Sequence, residues 1–262
     1  MKYLFVLFWT LLTALPLHAE TPRPVPLVPL QQGYAVDNPR VLVQQRLFGL
    51  AHGVALLATA CVREPGYRET LTPAYAEWQE RQDAAIAASY RDLARYYFHD
   101  RALEATRLDI TRALKLKEEL SLKPGSKKMY AACDTFVEAL HKPRYDLSLQ
   151  YLLLSLAWRF SEAIATEARV EACRASLSDK EAAALDESAM LWHQTFDAGI
   201  AEAKRTLEQR WDDVQLDGTL EEWTARAQED GKRSAVAERC KTLAQWLPTR
   251  KADPDDAFNA EP

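Results

Sequence analysis

Four cysteines, Cys61, Cys133, Cys173 and Cys240, carry the reactive chemistry of this 262-residue chain. A redox-active or soft-metal pair needs thiols in close spacing such as Cys-x-x-Cys, where a neighbouring thiol lowers the pKa and speeds exchange. That spacing is absent, and so is the Cys-x-x-Cys-His that attaches haem covalently. Thiols this far apart are expected to form structural disulfides, which require an oxidising compartment.

Other groupings are thinner. Glu138 and His141 form a Glu-x-x-His pair of the kind used in di-iron bundles, but such a centre needs a second pair, and the later stretch that resembles this one has Gln245 and Pro248 instead. No Gly-x-Ser-x-Gly turn, P-loop or His-Glu-x-x-His occurs. Met129 or Met190 among the tryptophans could hold a flat ligand, yet aromatic residues at helical spacing are the ordinary content of a core. The carboxylate pairs Glu118-Glu119 and Glu221-Glu222 lie in charged helical stretches, the usual sign of a solvated face. Asp83 and Asp197 stand eight residues before Arg91 and Arg205, and a structural contact to those arginines is expected. No catalytic residue, metal ligand or cofactor is assigned. One charge feature stands apart: Arg112, Lys115, Lys117, Lys123, Lys127 and Lys128 crowd one region, whereas the matching later region has Lys232 and Arg233 balanced by Glu221, Glu222, Glu229 and Asp230. Such an asymmetry suits a docking face for an acidic partner.

The elements that position these residues are announced by an internal echo. Residues Trp78 to Tyr97 return in altered form as Trp192 to Trp211, with Trp78/Trp192, Asp83/Asp197, Ala84/Ala198, Ile86/Ile200, Ala87/Ala201, Arg91/Arg205 and Leu93/Leu207 identical. Chance would give about one such match, so a duplicated unit is expected. In the second copy Trp192, Phe196, Ile200, Ala203, Leu207 and Trp211 form a stripe of helical period. The repeat core is accordingly read as Trp78, Ile86, Leu93, Trp192, Ile200 and Leu207. CDTFVEAL from Cys133 likewise lies over CKTLAQWL from Cys240. A unit copied whole carries its own bridge, which predicts Cys61–Cys133 and Cys173–Cys240, each closing a loop worth roughly 4 kcal/mol in the chain-entropy model.

Apolar residues make up 48% and charged residues 27%, Gly is scarce at eight, and no alternating β-branched run appears, which favours an all-α protein. The net charge of −5 gives no field for nucleic acid. Residues 1–19 have the layout of a cleavable secretory signal, with Lys2, an apolar run to Leu15, Pro16 and Ala19; no Cys follows the cut to take a lipid. No later apolar run reaches the roughly eighteen residues of a membrane span. Residues 20–39, with five prolines, read as an extended arm or tether, and 250–262 as a disordered acidic tail.

Between them, residues 40–143 and 144–249 read as two helical units. In the first, helices are expected from Val41 to Val62, from Thr72-Pro73 to about Phe98, from Leu103 to Leu120 and from Ser126 to His141. In the second they run from Leu147 through Cys173 and from a cap at Ser178 or Asp179 onward; a short helix around Trp223 is broken by Gly231, and the last spans roughly Lys232 to Leu247. The expected fold is all-α, with two tandem, homologous, disulfide-stapled bundles. The expected function is a non-enzymatic periplasmic module that binds another protein: an adaptor, a chaperone, or an inhibitor neutralising a toxin or hydrolase. A helical binder of a small ligand or cofactor is the alternative.

Overall fold

A computed structural model describes residues 27–36, 38–214 and 216–247, so the expected signal, the start of the arm and the acidic tail lie outside the described residues. Everything described is helix or connection, with no strand. The first half comprises α1 (Pro39–Arg63), α2 (Arg68–Phe98), α3 (Arg107–Ala113), α4 (Lys127–Asp134) and α5 (Phe136–Ala139); the second comprises α6 (Leu147–Arg174), α7 (Asp179–Arg210), α8 (Leu220–Ser234) and α9 (Ala237–Trp246).

Most starts have a side-chain cap for the orphan first-turn amides. Asn38 accepts from the Val41 amide ahead of Pro39, and Asp146 from Leu149. Thr106/Asp109, Ser178/Glu181 and Thr219/Glu222 form reciprocal capping boxes.

Four boundaries differ from the sequence reading. Helix α2 begins at Arg68, so Pro73 lies inside it; burial of Leu71, only 1% exposed, outweighs the one hydrogen bond that proline deletes. The third helix stops at Ala113, and Lys115 takes a left-handed φ of 57°. The chain from there to Ser126 is held as a loop: His52 Nε2 meets the Lys117 carbonyl at 2.7 Å, and the Glu64 carboxylate accepts from the Gly125 amide at 3.1 Å. The expected fourth helix is interrupted at Thr135, which separates α4 from α5. Gly231, expected to break a helix, is buried within α8, and the break falls at Ala235.

Two disulfides join the last turn of a half's first helix to its closing helix: Cys61 to Cys133 with Cα atoms 5.5 Å apart, and Cys173 to Cys240 at 5.3 Å. The largest apolar core straddles the two halves, uniting Val54, Trp78, Ile86 and Phe136 with Leu153, Phe160 and Leu207. A second surrounds Tyr97 and Ile110, and a third surrounds Trp192 and the second bridge. Of the six repeat-core residues, Ile200 alone is half-buried; the others are at most 5% exposed.

Helix α6 is the centre, packed against α1, α2, α7, α8 and α9. Its start is fixed by the first half. Trp78 Nε1 donates to the Tyr145 carbonyl at 2.8 Å, and Gln82 Oε1 accepts from the Leu147 amide at 2.8 Å. Fully buried Gln150 donates from Nε2 to the Asp213 carbonyl at 2.5 Å and to that of Pro143 at 3.3 Å. At the other face, α8 approaches α6 so closely that a Cβ on Gly231 would stand 2.2 Å from the Ala165 carbonyl oxygen.

Two further features depart from the expectations. The arm is docked from Leu27 onward: Gln45 Nε2 donates to the Tyr97 hydroxyl at 2.6 Å, that hydroxyl donates to the Gly33 carbonyl at 2.8 Å, and the Leu30 amide donates to the Tyr97 carbonyl. Helix α1 holds an 18-residue stretch of mean hydropathy 1.4 and is, by length and composition, apolar enough to cross a membrane. Its Leu, Val and Ala residues sustain that average, while Gly49, His52 and Gly53 interrupt the apolar run. Here it packs against α2, α4 and α6 and buries Gln44 and Gln45.

Gly231→Ala gains helix propensity but drives a methyl into backbone, so a net loss of about 1–3 kcal/mol is expected in urea unfolding with the disulfides intact. An unchanged midpoint would mean that α6 and α8 do not touch there. Burial pushes the Tyr97 phenol up to about 12. Its raised value means that the folded state favours the neutral form, a contribution complete below the ordinary value of 10 and lost as pH climbs toward 12. The melting temperature of the native chain is expected to fall more steeply over that window than that of Tyr97→Phe; parallel curves would contradict the burial of the Tyr97 hydroxyl.

Candidate functional site

The structure disperses most of the groupings read from the sequence. Asp197 accepts from or pairs with His193, Nδ1 to Oδ1 2.8 Å, while Arg205 turns to Glu202, and Arg91 lies 3.7 Å from Asp92; the expected Asp–Arg contacts are not made. Glu138 is engaged by Lys142 at 2.9 Å, which holds its carboxyl below the usual range. Met129 is buried in the largest core and Met190 is half exposed on α7. Among the described residues no group of three or more His, Cys, Asp or Glu is placed to hold a metal.

The six cations fall on α3, the following loop and the start of α4. Arg112 is spoken for by Glu118, Nε to Oε1 2.8 Å, and Lys117 donates to the Ser121 hydroxyl at 2.7 Å. Lys115, Lys123, Lys127 and Lys128 are exposed and form no ion pair with a described residue. Lys127 and Lys128 occupy the first turn of α4, where the helix dipole disfavours positive charge. The corresponding Lys232 and Arg233 sit in the last turn of α8, where the dipole favours it, and Arg233 lies 3.6 Å from Asp230. The same sequence feature is thus electrostatically settled in one half and unsettled in the other.

Concavities lie among the described helices, three of which bear on function. One of about 410 Å³ between α6, α7 and the end of α9 is lined by Glu167, Glu171, Arg174, Trp192 and His193. Burial pushes the Glu167 carboxyl up; His193 opposes the shift and Asp197 adds to it. A wide trough of about 670 Å³ opens between α7 and α8 over Phe160, Ile164 and half-buried Ile200. The third, about 330 Å³, runs between α1 and the α4–α5 segment and is largely apolar, with Gly49, Gly53, Leu57, Ala132, Phe136 and Ala139 on its walls. Sequence reasoning missed it. The available signal was a pair of glycines four residues apart inside an otherwise strongly apolar helix, where each costs about 0.5–1 kcal/mol relative to Ala.

Neither glycine is required by the fold. A Cβ on Gly53 would meet nothing within 4 Å, one on Gly49 would make only ordinary contact with the Tyr34 hydroxyl at 3.9 Å, and neither has a positive φ. No protein-family model, curated protein or solved structure matches this chain. The groove, the cations and the Glu167 cleft are therefore weighed on chemistry alone.

Gly53→Ala is expected to raise stability by about 0.5–1 kcal/mol in urea unfolding, through helix propensity alone. A loss would reveal a close contact of Gly53 within the chain.

Proposed function

We propose that this chain is an exported, non-enzymatic module that binds another protein, as an adaptor, chaperone or inhibitor of a toxin or hydrolase does, and that it arose by tandem duplication of one disulfide-stapled bundle. The observation that carries the binding reading is the set of four exposed cations, Lys115, Lys123, Lys127 and Lys128, without ion-pair partners among the described residues. Two of them are held against a helix dipole, at about 0.3–1 kcal/mol each. Charge kept where it weakens the fold is suited to an opposite charge on a partner, which it steers and orients.

Two disulfides suit an oxidising compartment, and with the signal-like layout of residues 1–19 they support the periplasm. The duplication is supported by like positions of the bridges and by buried Trp78 and Trp192 on the second helix of each half. It is strained by the route between second helix and closing helix, where the short α3 and a loop stand against the long α8. The cleft beside Glu167 and His193 favours the rival reading, since its volume of about 410 Å³ falls in the range of small-ligand sites.

Immobilised mature chain incubated with periplasmic extract is expected to retain one acidic protein, and to lose it when the four lysines are changed to Glu or when salt is raised to about 0.3 M. No retained protein, with a small molecule on the chain in native mass spectrometry that Glu167→Gln abolishes, would instead establish the ligand reading.

A further inference from the structure

On the duplication reading proposed above, the two halves treat one position on their first helices differently. Gly53 and Ala165 each stand eight residues before the first cysteine of their half, Leu57 and Arg169 four before it, and Ala139 and Trp246 six after the second cysteine. In the second half that place is full. Gly231 of α8 presses on the Ala165 backbone, Arg169 donates to the Ser234 hydroxyl at 2.5 Å, and its guanidinium lies 5.8 Å from the centre of the Trp246 ring.

In the first half the chain after α3 turns into a loop instead of a long helix, and small residues replace the large ones. The result is the apolar groove of about 330 Å³, floored by two helical glycines for which the fold has no use. Glycine on a helix face lets a second backbone approach, as Gly231 and Ala165 do within this molecule.

Charge selects the occupant. Helix α1 contributes no acid, and Arg63 is exposed in its last turn. Lys128 stands one turn before Ala132 and so on the groove side of α4, while exposed Arg144 follows α5 at the far end. The nearby acids are engaged, Asp134 by the Tyr67 hydroxyl at 2.5 Å and Glu138 by Lys142. We propose that the groove between α1 and α4–α5 seats an amphipathic helix of an acidic partner protein, crossing at Gly49 and Gly53 with a small residue of its own and carrying carboxylates toward the cationic ends. This rests on the protein-binding reading and adds the site and the shape of what fills it.

The probe is a hydrocarbon-stapled peptide of the α8 sequence, Leu220 to Ser234, which has Gly231 for the crossing and Glu221 and Glu222 at one end. Titrated into the full mature chain labelled with nitrogen-15, it is expected to shift the amides of Gly49, Gly53, Leu57, Ala132 and Ala139. Gly53→Leu and Ala139→Trp, which fill the groove, are each expected to weaken binding at least tenfold, and Lys128→Glu severalfold. The Cβ of Gly53→Leu meets nothing within 4 Å, and an unchanged amide spectrum elsewhere verifies its fold.

Absence of shifts at about 1 mM peptide overturns the proposal, as do shifts confined to α6 and α7. Groove shifts produced merely by deleting residues 248–262, or by raising protein concentration without peptide, overturn it in favour of the chain's own tail or a second copy. If the extract partner is retained equally by the native chain and Gly53→Leu, the seat is wrong while the binding reading stands. If no partner is retained by either, that reading falls as well.

Discussion

Burying a single helix on nearly every side is the constraint from which the rest of this structure follows. Helix α6 carries thirteen buried residues among its twenty-eight and packs against five other helices, so its polar ends must find partners inside the protein. The first half supplies them: Gln82 takes the Leu147 amide and Trp78 holds the Tyr145 carbonyl, while Gln150 on α6 itself ties the Pro143 turn to the Asp213 turn. An unmade hydrogen bond at any of these buried positions costs about 1–3 kcal/mol, which ties the register of one half to the other. The disulfides then clamp each half's first helix to its closing helix around that centre.

With α6 so committed, α8 is drawn along it and fills the seat at Ala165, whereas the first half diverts its chain into the loop held by His52 and Glu64. That diversion has two consequences. It leaves an apolar groove over Gly49 and Gly53, and it places Lys127 and Lys128 at the start of a short helix instead of the end of a long one. Both are features that an isolated fold would do better without, and both lie in the same half. The partner proposed above would account for the two together.

Local chemistry made some of this legible. The stripe containing Trp78, Leu93, Trp192 and Leu207 identified buried helix faces, the Leu147–Cys173 helix and a cap at Ser178 or Asp179 followed from pattern, with the structure setting it at Ser178, and the scarcity of Gly and absence of alternating runs indicated an all-α fold. Tertiary demands hid the rest. Residues 114–122 have the composition of a helix, yet burial of Leu114 and partial burial of Leu120 and Leu122 pull them into a loop. Gly231 and Gly125 look alike in sequence, but one is a helix contact and the other a left-handed turn with φ of 70°. The groove and the cleft depend on which helix lies beside which, and no local pattern states that.

The central claim, that both halves share one core through α6, is tested most directly by residue-resolved hydrogen exchange of the oxidised chain under increasing denaturant. The slowest amides of α1 and α2 and those of α6 and α7 are predicted to converge on one opening free energy and one denaturant dependence. Release of the α7–α9 amides at lower denaturant, with α1 and α2 still protected at full strength, would contradict the account and describe two bundles that merely touch.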